Sequence, residues 1–255
     1  MTGTASPLIE SALKRDRVIV LALLVAITAI AWAYLIDMAM GQAMGGMRAV
    51  SWDLGYFAAM FAMWAIMMTG MMVPSAAPLI LLYAAIERKR HPGERPYAGT
   101  MQFTLGYLVT WTGFSLFATL AQWGLSEAAL LSPMMVGTSP VLGAALFIAA
   151  GVYQLTPLKN TCLKHCRSPI AFLLHRRRTG RFGPLLMGLD HGAFCVGCCW
   201  FLMALLFTLG VMNLLWVVAI TVFVLLEKVV PQRTLLVRVS SALMIGSGVL
   251  LLATS

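Results

Sequence analysis

Gly188-Leu-Asp-His-Gly-Ala-Phe-Cys-Val-Gly-Cys-Cys-Trp200 places Asp190, His191, Cys195, Cys198 and Cys199 inside a run that is otherwise as apolar as lipid. Charged and ligand-type side chains are costly at membrane depth, and where they occur they mark functional sites. Read as a helix, the stretch puts His191, Cys195 and Cys198 at i, i+4 and i+7, on one face, with Met187 one turn earlier on the same stripe. Imidazole, thiolate and thioether on one face suit a soft metal, Cu(I) first and zinc second. A single cysteine in such a helix is ordinarily packing. Three within five positions, one turn from a histidine, are read as ligands.

The surroundings of this stretch are equally apolar. Of 255 residues 60% are hydrophobic and 11% charged, where a soluble domain carries about 25% charged residues. The chain therefore reads as an integral membrane protein. Its net charge of +9 does not point to nucleic acid, because the basic residues sit in short clusters between apolar runs, as membrane topology requires.

At bilayer length the runs predict an all-α bundle of seven transmembrane helices forming one domain over 1–255, at about 18–36, 54–86, 97–123, 141–158, 184–211, 214–230 and 235–253. The first run follows Lys14, Arg15 and Arg17 and exceeds the apolar core of a signal peptide, so it reads as a retained span. A loop from Asp37 to Asp53 carries Met38, Met40, Met44 and Met47. Pro74 and Pro78 interrupt the second span, where a kink is expected. Lys159 to Arg181 reads as the longest polar connection, Asn213 as a tight turn, and Pro231 as a break. With the N-terminus in the cytoplasm, 17 of the 18 Lys and Arg fall on or near the inner side, Arg48 excepted. Trp32, Tyr34, Trp52, Trp123 and Trp216 then lie near the outer interface, and the C-terminus is outside.

Counting from Pro184 at 1.5 Å per residue, His191 lies about 10 Å and Cys198 about 20 Å into the bilayer. Met60, Met63, Met67 and Met71 are spaced at 3 and 4, one stripe on the second span, flanked by Met68 and Met72. Beside a thiol-bearing helix, Met63, Met67 and Met71 become candidate thioether ligands for Cu(I), since thioethers bind zinc poorly. Cys162 and Cys166 flank His165 on the cytosolic side, where Lys164 and Arg167 favour thiolates. A structural disulfide is not expected in that compartment. Asp190 reads as a partner for an interfacial basic residue, and Glu227 with Lys228 as an ion pair at the end of the sixth span. Gly188 and Gly192 permit close helix approach.

Several of these motifs occur together: Trp64, Met67 and Met68; Met71-Met72-Val73-Pro74-Ser75; and Gly151 through Gln154, Pro157 and Lys159 to Cys162, Cys166 and Arg167. Further on come Cys195, Cys198, Cys199 and Trp200 with Met203, then Gly210, Asn213, Glu227 and Lys228. In these motifs the chain resembles a bacterial family of integral membrane proteins labelled metal-binding and often copper chaperones, from the second span onward. The resemblance implies a metal-handling protein of the inner membrane.

The reading is a Cu(I)-binding membrane protein with no catalytic residue assigned; whether it is also an enzyme stays open. It takes Cys195, Cys198, Cys199 and His191 as metal ligands. Met63, Met67 and Met71 support them, and Cys162 and Cys166 form a cytosolic relay. Its expected partners are the lipid bilayer and a protein that donates or accepts the metal. Two alternatives stand beside it: a thiol–disulfide oxidoreductase, disfavoured because adjacent cysteines in a helix are poorly placed for a relaxed disulfide, and a structural subunit whose cysteines only pack. The seventh span holds no lysine for a retinal Schiff base, and no nucleotide-binding loop is present.

Overall fold

A long apolar segment pairs its backbone N–H and C=O groups most simply as a helix, and that is how this chain folds. The computed structural model describes residues 7–45, 52–90, 97–132, 135–230 and 233–254. Among the described residues ten helices follow in order: α1 (Pro7–Gly45), α2 (Leu54–Arg90), α3 (Tyr97–Glu127), α4 (Pro140–Leu155), α5 (Pro157–Arg167), α6 (Pro169–His175), α7 (Gly183–Ala204), α8 (Leu206–Leu209), α9 (Leu214–Val229) and α10 (Arg233–Ala253). Among the described residues the only β pairing is an isolated bridge between Leu131 and Gly137. Within the described residues, five helical segments are long and apolar enough to cross a bilayer, in α1, α2, α3, α7–α8 and α10; α4 with α5 would make a sixth, bent by 65°.

Several expected boundaries move. The segment carrying Met38 and Met40 is not a loop, because α1 continues to Gly45. Met47, Arg48, His91, Pro133 and Pro231, and the Met44 side chain, lie outside the described residues. The stretch 159–181 is not simply a polar connection, since α5 and α6 occupy most of it. Thr156 ends α4 and begins α5, its hydroxyl accepting from the Lys159 N–H at 3.3 Å, with Pro157 in the first turn. That arrangement is a standard helix start. Asn213 caps α9 in the same way, accepting from Leu215 N–H at 3.2 Å.

α2 runs unbroken through Pro74 and Pro78. Proline has no N–H, so Pro74 leaves the carbonyl of Gly70 without its helical partner. The Trp32 indole of α1 donates to that carbonyl at 3.2 Å. At the far end of α2, Trp64 Nε1 donates to Gln122 Oε1 of α3 at 2.6 Å.

α3 lies along α7, α1 along α2, and α4 along α10. The α3–α7 contact is set by glycine. A Cβ on Gly106 would fall 2.1 Å from Leu185 O, and one on Gly188 would fall 2.0 Å from Phe103 O. The backbones touch at both places, as Gly188 led us to expect. Large apolar side chains on α1, α3 and α10, such as Val18, Phe117 and Leu243, face outward. Replacing Gly188 by Leu should force α3 and α7 apart and destabilise the protein by at least roughly 1–3 kcal/mol. Thermal unfolding in detergent measures this, and an unchanged melting temperature would refute the contact.

Candidate functional site

One face of α7 is buried: Met187, His191, Cys195, Cys198, Cys199, Leu202 and Met203. The helical spacing read from the sequence therefore describes a real face, turned into the bundle. α5 lies against it. A Cβ on Gly197 would lie 2.9 Å from Cys162 Sγ, so α5 and α7 are in contact at that thiol. One turn on, the Cys166 thiol lies near those of Cys195 and Cys198. All five cysteines, each of them free, thus gather at one helix–helix contact. Cys162 and Cys166, expected as a cytosolic relay, lie on α5 beside the cysteines of α7.

Cys195 is its centre. It is fully buried, and its sulfur lies 3.1 Å from Lys228 Nζ and 3.3 Å from the Tyr107 hydroxyl. Lys228 also donates to Ser75 Oγ at 2.7 Å, and Tyr107 to the Met72 carbonyl at 3.1 Å. Helices α2, α3, α7 and α9 therefore meet at this sulfur through four named side chains. The Cys198 and Cys199 thiols donate to the Cys195 carbonyl at 3.1 and 3.0 Å.

His191, one turn before Cys195, is 1% exposed. Its ring stacks against Tyr107 and Phe103 at centroid distances of 5.5 and 6.3 Å and meets Phe172 edge-on at 5.3 Å. Its Nδ1 is buried without a hydrogen-bond partner. Asp190 does not supply one; it pairs with Arg178 at 2.9 Å, as expected of an interfacial carboxylate. A buried imidazole nitrogen without a partner is unusual, and a ligand would satisfy it.

The expected Glu227–Lys228 ion pair is not formed. Neighbouring residues on a helix diverge by 100°, and the two side chains leave α9 in different directions. Glu227 accepts from Lys159 of α5 through both carboxylate oxygens at 2.8 Å, with Gln154 as a second partner of the lysine. This pair is buried at the bend between α4 and α5 and fastens it to α9. Removing one member of a buried pair leaves an uncompensated charge, costing about 3–5 kcal/mol, while replacing both by apolar groups is often close to neutral. Lys159→Met alone should therefore lower stability by that amount, and Lys159→Met with Glu227→Leu by much less. Chemical unfolding of the single and double variants compares them.

Met63, Met67 and Met71 are all buried, in one continuous cluster with Cys195, Cys198 and Cys199. The Met72 carbonyl and Ser75 hydroxyl, immediately beyond Met71, are where α2 joins the cysteine site. Met40 is exposed on α1, away from that cluster.

The sequence reading missed Lys228, Tyr107 and Ser75 as members of the site. For Lys228 a signal existed: a lysine closing an apolar helix, unable to pair with its own neighbour, needs a partner on another helix. Chemically the site offers thiols, an imidazole and nearby thioethers, screened from water, with an ammonium group beside them. This donor set fits a soft monovalent ion. Among the described residues, no three His, Cys, Asp or Glu side chains are already disposed around a common point as metal ligands.

The family described as PpoB2, copper chaperone, matches residues 61–251, or 191 of the 255 residues. No curated protein and no solved structure gives a significant match.

Proposed function

The chain belongs to the PpoB2 copper chaperone family, and from that premise we propose that it binds Cu(I) at the α5–α7 cysteine cluster and passes it on within the bacterial inner membrane. The observation that carries this reading is the gathering of all five cysteines, three buried and two half-buried, at the α5–α7 contact, with the unpartnered nitrogen of His191 one turn away.

Cys195 and Cys198 are the primary thiolate ligands and His191 the neutral one. Cys199 and Cys166 stand within one exchange of them. Cys162 and Cys166 form the approach from the cytosolic end of α5, and Met63, Met67 and Met71 the apolar thioether side. Loading requires the Cys198 thiol to leave the Cys195 carbonyl and lose its proton, since metal-bound cysteine is a thiolate. Such rotamer changes are small, and they suit a site that must release its cargo as well as hold it. The partner is a protein that gives or takes the ion.

In the proposed topology seven segments cross the membrane: α1, α2, α3, α4 with its α5 elbow, α7–α8, α9 and α10. The N-terminus lies in the cytoplasm and the C-terminus outside. At 16 residues α9 is about 24 Å long, shorter than a typical hydrocarbon core of about 30 Å. Its buried end at Lys228 is consistent with that shortness, because the lysine is solvated by protein and not by headgroups. A reporter fused after Ser255 should be active only outside the membrane; cytoplasmic activity would contradict the topology.

The metal reading is tested by competition with a Cu(I) chelator in detergent. Wild-type protein should retain Cu(I), and Cys195→Ser with Cys198→Ser should weaken retention by at least about 100-fold, given that outer partners of metal ligands alone cost about 10- to 100-fold. Equal retention by both proteins would refute the site.

A further inference from the structure

Lys228 is buried, yet the carboxylate next to it in sequence is already engaged by Lys159. A buried ammonium requires negative charge close by. Among the described residues the acidic groups that face Lys228 are the Cys195, Cys166 and Cys198 thiols and the Tyr107 phenol. Its direct contacts are Cys195 Sγ at 3.1 Å and Ser75 Oγ at 2.7 Å. The lysine is thus a fixed positive charge built into the cysteine cluster, held in place from α2 by a neutral hydroxyl that leaves its charge intact.

We propose that Lys228 selects the charge of the bound ion, making the site specific for a monovalent metal. The inference rests on the Cu(I) reading and extends it. With two thiolates and a neutral imidazole, a monovalent ion and the Lys228 ammonium bring the pocket to zero net charge. A divalent ion in the same ligands leaves it at plus one. In a dry, low-dielectric interior an unbalanced unit charge is strongly disfavoured, so the ammonium favours Cu(I) and rejects Zn(II), which the thiols alone would accept. Removing the ammonium reverses the order: the divalent ion then gives neutrality and the monovalent one leaves minus one. Lys228 is in this sense a specificity-determining residue, touching a ligand and not the metal. Ser75 is its positioning partner.

The experiment measures Cu(I) and Zn(II) affinities, each by chelator competition in detergent, for wild type, Lys228→Met, Lys228→Arg and Ser75→Asp. The Zn(II)-to-Cu(I) affinity ratio should rise by about a hundredfold in Lys228→Met, the size expected for one unit of charge a few ångströms away. Lys228→Arg keeps the charge and should keep the wild-type ratio. Ser75→Asp leaves the lysine in place but neutralises it, and should move the ratio in the same direction as Lys228→Met. This variant decides the matter if Lys228→Met fails to fold. A wild-type ratio in both Lys228→Met and Ser75→Asp overturns the inference while leaving Cu(I) binding itself untouched, and so does an Arg variant that behaves like Met. Failure of the wild type to bind Cu(I) overturns the underlying function instead.

Discussion

A lysine ammonium and a cysteine sulfur meet at 3.1 Å in the interior of this bundle, and much of the architecture follows from having to hold them there. Neither group is at home in an apolar core. The lysine arrives from the end of α9, the cysteine from the middle of α7, and each needs polar neighbours that the rest of the apolar chain does not offer. Tyr107 reaches the sulfur because α3 lies backbone to backbone with α7 at Gly106 and Gly188. Ser75 reaches the lysine from α2. A buried ion pair, Lys159 with Glu227, engages the carboxylate that neighbours Lys228 in sequence. Two adjacent residues on α9 thereby carry separate duties, one fastening the bend of α4–α5 and one charging the cysteine site.

The prolines of α2 contribute in a related way. An intramembrane proline frees a carbonyl that must be satisfied by something other than its own helix. At Gly70 the donor is Trp32, which ties α1 to α2. The helix therefore passes through Pro74 and Pro78 intact, carrying its buried methionines on one side and delivering Ser75 to the site. The methionine stripe thus supplies packing, whether or not its sulfurs also touch metal.

Much of this was legible in the sequence, for physical reasons that can be named. The 3.6-residue periodicity of His191, Cys195 and Cys198 defines a helical face whatever surrounds it, and hydropathy alone identifies the long helices. Glycines four apart gave the close contact of α7. What the sequence obscured were choices among partners. Cys162 and Cys166 sit in a stretch rich in Lys and Arg, which hid the short helix α5 whose Lys159 and Leu163 are buried. Lys228 next to Glu227 suggests an ion pair by proximity, although helix geometry separates their side chains. The site role of Tyr107 depends on which helix lies beside α3, and no local pattern carries that information. The end of α4 at Leu155 depends on Thr156 and Pro157, a capping signal masked by the apolar residues before it.

Membership of the copper chaperone family agrees with a donor set assembled from thiols and imidazole. It also lends meaning to a site whose thiols are close together but engaged with their own helix, as Cys198 and Cys199 are with the Cys195 carbonyl. In the function proposed above, such a site takes up and gives back an ion with little movement of the backbone. X-ray absorption at the copper edge of the Cu(I)-loaded protein tests this most directly. The account predicts a nearest shell of two sulfurs and one nitrogen; a shell of oxygen and nitrogen without sulfur would contradict it.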